Sequence, residues 1–220
     1  MAIVKADAYG HGAVGISKAA NEIGIRYFGV ATLDEGIELR ENNITGEILI
    51  LGQINPNEIQ RAIEFDLTLT LSDLKFLSYL NPNDRLKFHI KIDTGLSRNG
   101  FYMQHLENVD NIYNLILNVK TIPNIELNWI YTHYSSAESN KDFTAKQLNL
   151  FSELINRLKN NAIDCGMMHT SNSAATLLYP ETHFDMVRIG LLSYCINITN
   201  IPINVHPMMR VKGTLIQEKK

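Results

Sequence analysis

The sequence predicts a parallel α/β fold, a (β/α)8 TIM barrel, and three observations carry that prediction. Short apolar runs alternate with longer amphipathic stretches along the chain. Strand, helix and strand in repetition imply parallel pairing through right-handed crossovers. About eight strands, spaced at roughly 20–40 residues, suit a closed barrel better than an open doubly wound sheet. A chain of 220 residues is long enough for one sizeable core.

The expected strands are Ala2–Ala6, Tyr27–Ala31, Ile48–Leu51, Leu67–Leu71, Lys87–Ile92, Glu126–His133, Met167–Thr170 and Asp185–Leu191. In the first, a period of two puts Ile3, Lys5 and Asp7 on one face. A lysine near the end of a buried strand is costly unless it has a partner or a covalent use. The first helix sets Ala13, Ile16, Ala20 and Ile23 on one face, and Gly24 closes it. Thr32 followed by Glu35 reads as a capping box opening the second helix. Asn55-Pro56 reads as an N-cap with proline at the first helical position, opening the third. Phe143, Leu148, Phe151, Ile155 and Leu158 form a long apolar stripe. After Tyr194 the texture changes: 197–204 is loop-like, and Met208–Ile216 reads as one more strand.

Composition excludes several classes. Hydrophobic residues make up 45% and charged residues 20%, which is ordinary for a globular chain. A net charge of −3 gives no footprint for nucleic acid or an anionic membrane. No apolar run approaches the length of a membrane span, and no secretory signal is evident. Cys165 and Cys195 are too few for a disulfide framework, so reduced structural thiols in a cytoplasmic protein are expected.

Barrels of this kind carry their sites at the C-terminal strand ends. There the sequence places Lys5, Asp7 and Tyr9; then His89, Lys91 and Asp93, running on to Arg98; then Tyr131, His133 and Ser135; then Asn172 and Ser173; then Arg188 and Gly190. Each has a plainer reading. Lys5 could face solvent, Lys91 and Asp93 could be a structural ion pair, His133 a satisfied core histidine, and Asn172 a simple N-cap. Convergence favours a site, because a packed barrel core has no need of five strands each delivering a polar group to one end. Thr170–Ala175 opens a helix with free N–H groups, and Ile189-Gly190-Leu191 offers a close backbone approach. Both suit an anion. A phosphate site facing a lysine suggests a phosphorylated aldehyde condensed with the amine, that is, pyridoxal phosphate. The desolvated amine can serve as nucleophile and then as base.

The stretch Val4-Lys5-Ala6-Asp7-Ala8-Tyr9-Gly10-His11-Gly12 resembles the cofactor-attachment motif of bacterial alanine racemases, pyridoxal phosphate-dependent isomerases of fold-type III. The resemblance continues through Ala31–Glu35, Ile48–Gly52, Lys91–Gly95, Tyr131–His133, Ser171–Ala175 and Met186–Gly190, in order and over nearly the whole chain. It implies that Lys5 holds the cofactor and acts as the base on one face of the substrate Cα. Tyr9, Asn172, Ser173, Gly190 and Leu191 would hold the phosphate, His133 would pack against the pyridine ring, and Leu51 would also contact the cofactor. Arg98 would reach the phenolic oxygen, with catalytic weight, and Arg188 would face the pyridine nitrogen. Lys91 matches a position carbamylated in several members. No metal is expected.

The family resemblance also implies a second, mostly β domain, which supplies the opposite-face tyrosine base from the partner subunit of a homodimer. On that basis residues 1–196 are expected to be the barrel, lacking its first helix region. Residues 197–220 would be a linker and the first strand of a C-terminal β domain that is otherwise missing. The chain is expected to be truncated at both ends, with one base of two. The implied function is interconversion of L- and D-alanine in the cytoplasm, supplying D-alanine for peptidoglycan. The rival readings are a serine-racemising relative of the resistance-associated membrane racemases, a non-catalytic pyridoxal phosphate-binding barrel, and a truncated remnant.

Overall fold

The structure, a computed structural model, describes residues 1–207 with Met209, Thr214 and Gln217. Its strands are β1 (Ala2–Ile3), β2 (Tyr27–Val30), β3 (Glu47–Ile50), β4 (Thr68–Leu71), β5 (Leu86–Asp93), β6 (Phe101–Tyr102), β7 (Ile125–Tyr131) and β8 (Met167–His169). The order β1-β2-β3-β4-β5-β7-β8 is parallel throughout. Two single bridges join the free edges, His169 to Met186 and Ala2 to Ile189. The segment 186–189 is therefore the eighth stave, and the parallel α/β barrel predicted from the alternation is what forms.

Two expected strands come out differently. The first stops at Ile3, because Val4 already has φ −117° and ψ 17° and Lys5–Gly10 winds into a helical turn. The alternation through Lys5 and Asp7 is thereby lost. The last expected strand, Asp185–Leu191, is reduced to the two bridges. Gly190 (φ −115°, ψ −93°) turns the chain into the 3-10 turn Leu191–Tyr194. Strand β6 had no periodicity to betray it; two residues pair with the end of β5. The expected strand Met208–Ile216 lies outside the described residues.

Periodicity placed the helices well and their faces less well. The helix Ala13–Glu22 buries Ala13, Ser17 and Ala20, whereas Ile23 is 79% exposed. Thr32 and Glu35 do form a capping box on the helix Leu33–Glu41. Asn55 caps the 3-10 turn Pro56–Glu58, which leads into the helix Ile59–Glu64. The helix Lys141–Asn160 buries Leu150 and Leu154 along with Phe151, Ile155 and Leu158, while Leu148 packs on a small separate cluster with Tyr134. Among the described residues no helix is long and apolar enough to cross a membrane.

Strand β5 shows how the sheet sorts its residues. Phe88, Ile90 and Ile92 belong to the apolar core beneath the helices, each contributing about 1.5–3 kcal/mol by burial. Period two then turns His89, Lys91 and Asp93 to the barrel side. The same inner layer carries Thr70, Tyr131, His169 and Arg188, all buried.

Candidate active site

One cavity of about 520 Å³ collects Lys5, Tyr9, Leu51, Lys91, Arg98, His133, Asn172, Ser173, Arg188, Gly190 and Leu191 in its lining. The residues given roles by the family resemblance are all in it, whereas Asp7, His89, Asp93 and Ser135, also placed at strand ends from the sequence, are not. The lining residues reach it by different routes.

Lys5 and Tyr9 arrive on a left-handed turn. Ala6, Asp7, Ala8 and Tyr9 have φ of 52°, 51°, 52° and 54°. Left-handed winding costs about 1–2 kcal/mol per residue, so the run stores roughly 4–8 kcal/mol. The surroundings hold it. Ala6 N–H donates to Glu35 Oε1 at 2.8 Å, and Ala13 N–H donates to Asp7 Oδ1 at 2.7 Å. Ala8 N–H and Gly12 N–H donate to the carbonyls of Val4 and Asp7 at 2.8 and 3.0 Å. Hydrogen bonds to a charged acceptor are worth about 1.5–3 kcal/mol each, so the two carboxylates offset much of the strain. Glu35 thus does two jobs, since its other oxygen accepts from Ala31 N–H at 2.6 Å and from Thr32 N–H at 3.2 Å. The sequence revealed only the capping.

The opposite wall is relaxed. Asn172 caps the short helix Ser173–Leu178, accepting from Ala175 N–H at 2.9 Å, and donates to Tyr134 O at 3.3 Å. It is a cap and a lining residue together. Ser173 Oγ accepts from Gly190 N–H at 3.2 Å and Leu192 N–H at 3.3 Å. A Cβ at Gly190 would stand 2.9 Å from Tyr9 Oη and 3.4 Å from Ile3 Cβ, so only glycine leaves that cradle open.

Arg188 is buried and heavily engaged. Nη1 donates to His169 O at 2.6 Å and His169 Nδ1 at 2.9 Å. Nη2 faces Thr132 O at 2.8 Å, Thr170 O at 2.9 Å and His133 Nδ1 at 3.1 Å. Burial lowers its pKa to about 10, which leaves it charged at neutral pH. Burial first, then Arg188, drives His133 well below the usual imidazole range. His133 therefore meets Arg188 as a neutral ring accepting at Nδ1.

Lys91 is 2% exposed, and its Nζ donates to Asn99 Oδ1. Burial, with help from Arg98 and Arg188, lowers its pKa to about 7. It is not ion-paired with Asp93. That carboxylate instead accepts from Gly95 N–H and Ser97 N–H, both at 3.0 Å, and shapes the loop leading to Arg98. Arg98 is exposed and makes no hydrogen bond among the described residues. Tyr131 donates to or accepts from Thr70 Oγ1 at 2.8 Å, stacks on His169 at 4.7 Å, and burial pushes its hydroxyl up to about 12. The sequence reading missed Asn99, whose position beside Arg98 was the available clue, and Gln53 and Ile198, which no motif marks.

Residues 1–197 match the family described as alanine racemase, N-terminal domain. An alanine racemase of Carboxydothermus hydrogenoformans is 36% identical over 100% of this chain and 61% of its own length. One from Methanococcus maripaludis is 38% identical over 96% of this chain and 58% of its own length. The solved alanine racemase from Bacillus anthracis superposes with a TM-score of 0.83 at 32% identity, covering 94% of this chain and 55% of that one. The chain thus spans somewhat over half the length of the relatives it matches.

Proposed function

The chain belongs to the alanine racemase family, and we propose that it is the cofactor-holding barrel of a pyridoxal phosphate-dependent racemase acting on alanine. The observation that carries the proposal is one cavity in which a lysine amine faces a glycine-opened anion cradle. The fit is good. A cavity of about 520 Å³ is within the usual range for a cofactor with a small substrate. The backbone at Gly190, stripped of a Cβ, lets a phosphate approach Ser173, Leu191 and Tyr9. Bound there, pyridoxal phosphate would supply an electron sink for the pair left when the substrate Cα loses its proton.

The chain's own groups do the rest. Lys5 would attach the cofactor and would take or return the Cα proton on one face. Arg188 would donate to the ring nitrogen and keep its proton, because arginine has no acceptor and stays charged. The ring would then lack a full positive charge, which would favour return of a proton to Cα. Arg98 would reach the phenolic oxygen. The amine of Lys91, with its pKa near 7, is available for carbamylation beside it. His133 and Leu51 hold the ring faces. Residues 1–196 make up this cofactor domain. By the family resemblance, a second, mostly β domain would bring the opposite-face base from a partner subunit. A cytoplasmic homodimer making D-alanine for the cell wall completes the proposal. The racemase relatives favour alanine over the serine-racemising and non-catalytic readings.

The test is spectroscopic first. With pyridoxal phosphate the chain should develop a visible absorption band, and Lys5→Ala should abolish it. A band that survives means another lysine carries the cofactor. Racemisation of L-alanine and L-serine is then measured on this chain alone and fused to the second domain of a relative. Turnover of L-alanine is expected only in the fusion. High activity from the chain alone would sink the two-base reading.

A further inference from the structure

A file of polar side chains runs through the barrel beneath the cavity. Glu47 opens β3 at the end of the barrel away from the cavity, since Leu51, just past the same strand, lines it. Glu47 Oε1 lies 2.5 Å from His89 Nε2, a close charge contact without hydrogen-bond alignment, and neither atom has a hydrogen-bond partner among the described residues. His89 Nδ1 lies 3.2 Å from His169 Nε2. His169 Nδ1 lies 2.9 Å from Arg188 Nη1. Both imidazoles have no solvent exposure. Trp129 packs on His89 at 4.4 Å and Tyr131 on His169 at 4.7 Å, which fixes both ring planes.

The protons in this file can be assigned by elimination. Arginine cannot accept, so His169 Nδ1 must be the acceptor and carry no proton. Burial drives His169 well below the usual range, so the ring is neutral and its one proton is on Nε2. That proton points at His89 Nδ1, which must also accept. His89, lowered by burial against the opposing pull of Glu47, then carries its proton on Nε2, facing the carboxylate. Without that proton two lone pairs would meet at 2.5 Å. Every N–H in the file points the same way, from Arg188 toward Glu47.

We propose that Glu47 is a positioning residue: its carboxylate, set against His89 Nε2 at the far end of the file, favours the Nε2–H tautomer of His89 and then of His169, and so holds the Arg188 guanidinium in the orientation it presents to the cavity. The proposal deepens the cofactor reading and rests on it only for what Arg188 faces. The side chain at position 47 touches nothing in the cavity. Its influence passes through two neutral rings whose alternative tautomer would set an N–H against an N–H at Arg188.

The experiment is nitrogen-15 NMR of the imidazoles in the 220-residue chain without added cofactor, for wild type, Glu47→Gln and Glu47→Leu. In wild type both rings should show a protonated Nε2 and a bare Nδ1. Glu47→Gln keeps an acceptor oxygen and should keep both tautomers. Glu47→Leu should move His89, and after it His169, into a tautomer mixture. A purely structural role would leave the tautomers alone. A protonated Nδ1 on wild-type His169, or unchanged tautomers in folded Glu47→Leu, overturns the proposal. If Glu47→Leu fails to fold, Glu47→Ser, too short to reach His89, takes its place under the same criteria. Titration with pyridoxal phosphate is the second arm: Glu47→Leu should bind roughly 2–10-fold more weakly than Glu47→Gln, the loss of one ordinary hydrogen bond at Arg188. If wild type binds no cofactor, the cofactor reading fails while the tautomers still decide the file.

Discussion

The two sides of the cavity hold their cationic groups in opposite ways. On the closing side, Arg188 sits on ordinary backbone and meets three carbonyls and two imidazole nitrogens, more acceptors than its four Nη hydrogens can serve. On the other side, Lys5 rides a strained left-handed turn, and Lys91 has a single amide for a partner. The difference separates two tasks. A cation that must stay charged in a dry place needs saturation. An amine proposed to react is left poorly served, and its surroundings are bent to place it. The price is met by Glu35 and Asp7, neither of which lines the cavity.

The largest test of the saturated side is Arg188→Met. It orphans buried acceptors at about 1–3 kcal/mol each, so a loss of at least about 3 kcal/mol is expected in urea unfolding. A smaller loss would mean that the carbonyls have other partners.

On the poorly served side, the next effect is a slope. The folded pKa of Lys91 is about 7 against an ordinary 10.5, so the unfolded chain binds the extra proton between those values. Stability should therefore rise with pH across that window, while below about 7 the penalty for the buried amine is fully present. Lys91→Met should flatten the slope relative to wild type. An unchanged slope would show that Lys91 is not the titrating group.

Glu35→Ala should cost about 2–3 kcal/mol, more than a cap alone, because the Ala6 N–H of the turn loses its acceptor as well. A loss of only about 1 kcal/mol would mean that the turn holds itself.

The smallest effect has the sharpest sign. Ala6→Gly, exposed and at φ 52°, should stabilise the chain by about 1 kcal/mol. Ala19→Gly, exposed in the right-handed helix Ala13–Glu22, should destabilise it by about 1 kcal/mol. Thermal melts of both decide whether the strain at Lys5 is real.

Much of this was legible in the chain. Period-two and period-3.6 patterning is local, and it places the strands, the crossover helices and the barrel. The Thr32–Glu35 capping box and the Asn55-Pro56 start are likewise local signals. Because strand C-termini gather at one end of a barrel, the polar residues there included Lys5, Tyr9, Lys91, Arg98, His133, Asn172, Ser173 and Arg188 of the cavity lining, while Leu51 came only with the family resemblance. What the chain hides is any arrangement that depends on distant atoms. No periodicity announces that Ala6–Tyr9 turn left-handed, since that conformation is unfavourable locally and is held in part by Glu35, 29 residues away from Ala6, which supplies an acceptor. Nor does sequence show that Glu47, His89, His169 and Arg188 line up, for they come from four separate stretches of the barrel wall. Sequence alone determined the barrel and which ionisable groups stand at its strand ends, because hydrophobic period and chemistry belong to each residue. Tertiary structure alone decided strain, proton placement and which cation is saturated, because each is set by the partner that folding brings within hydrogen-bond reach.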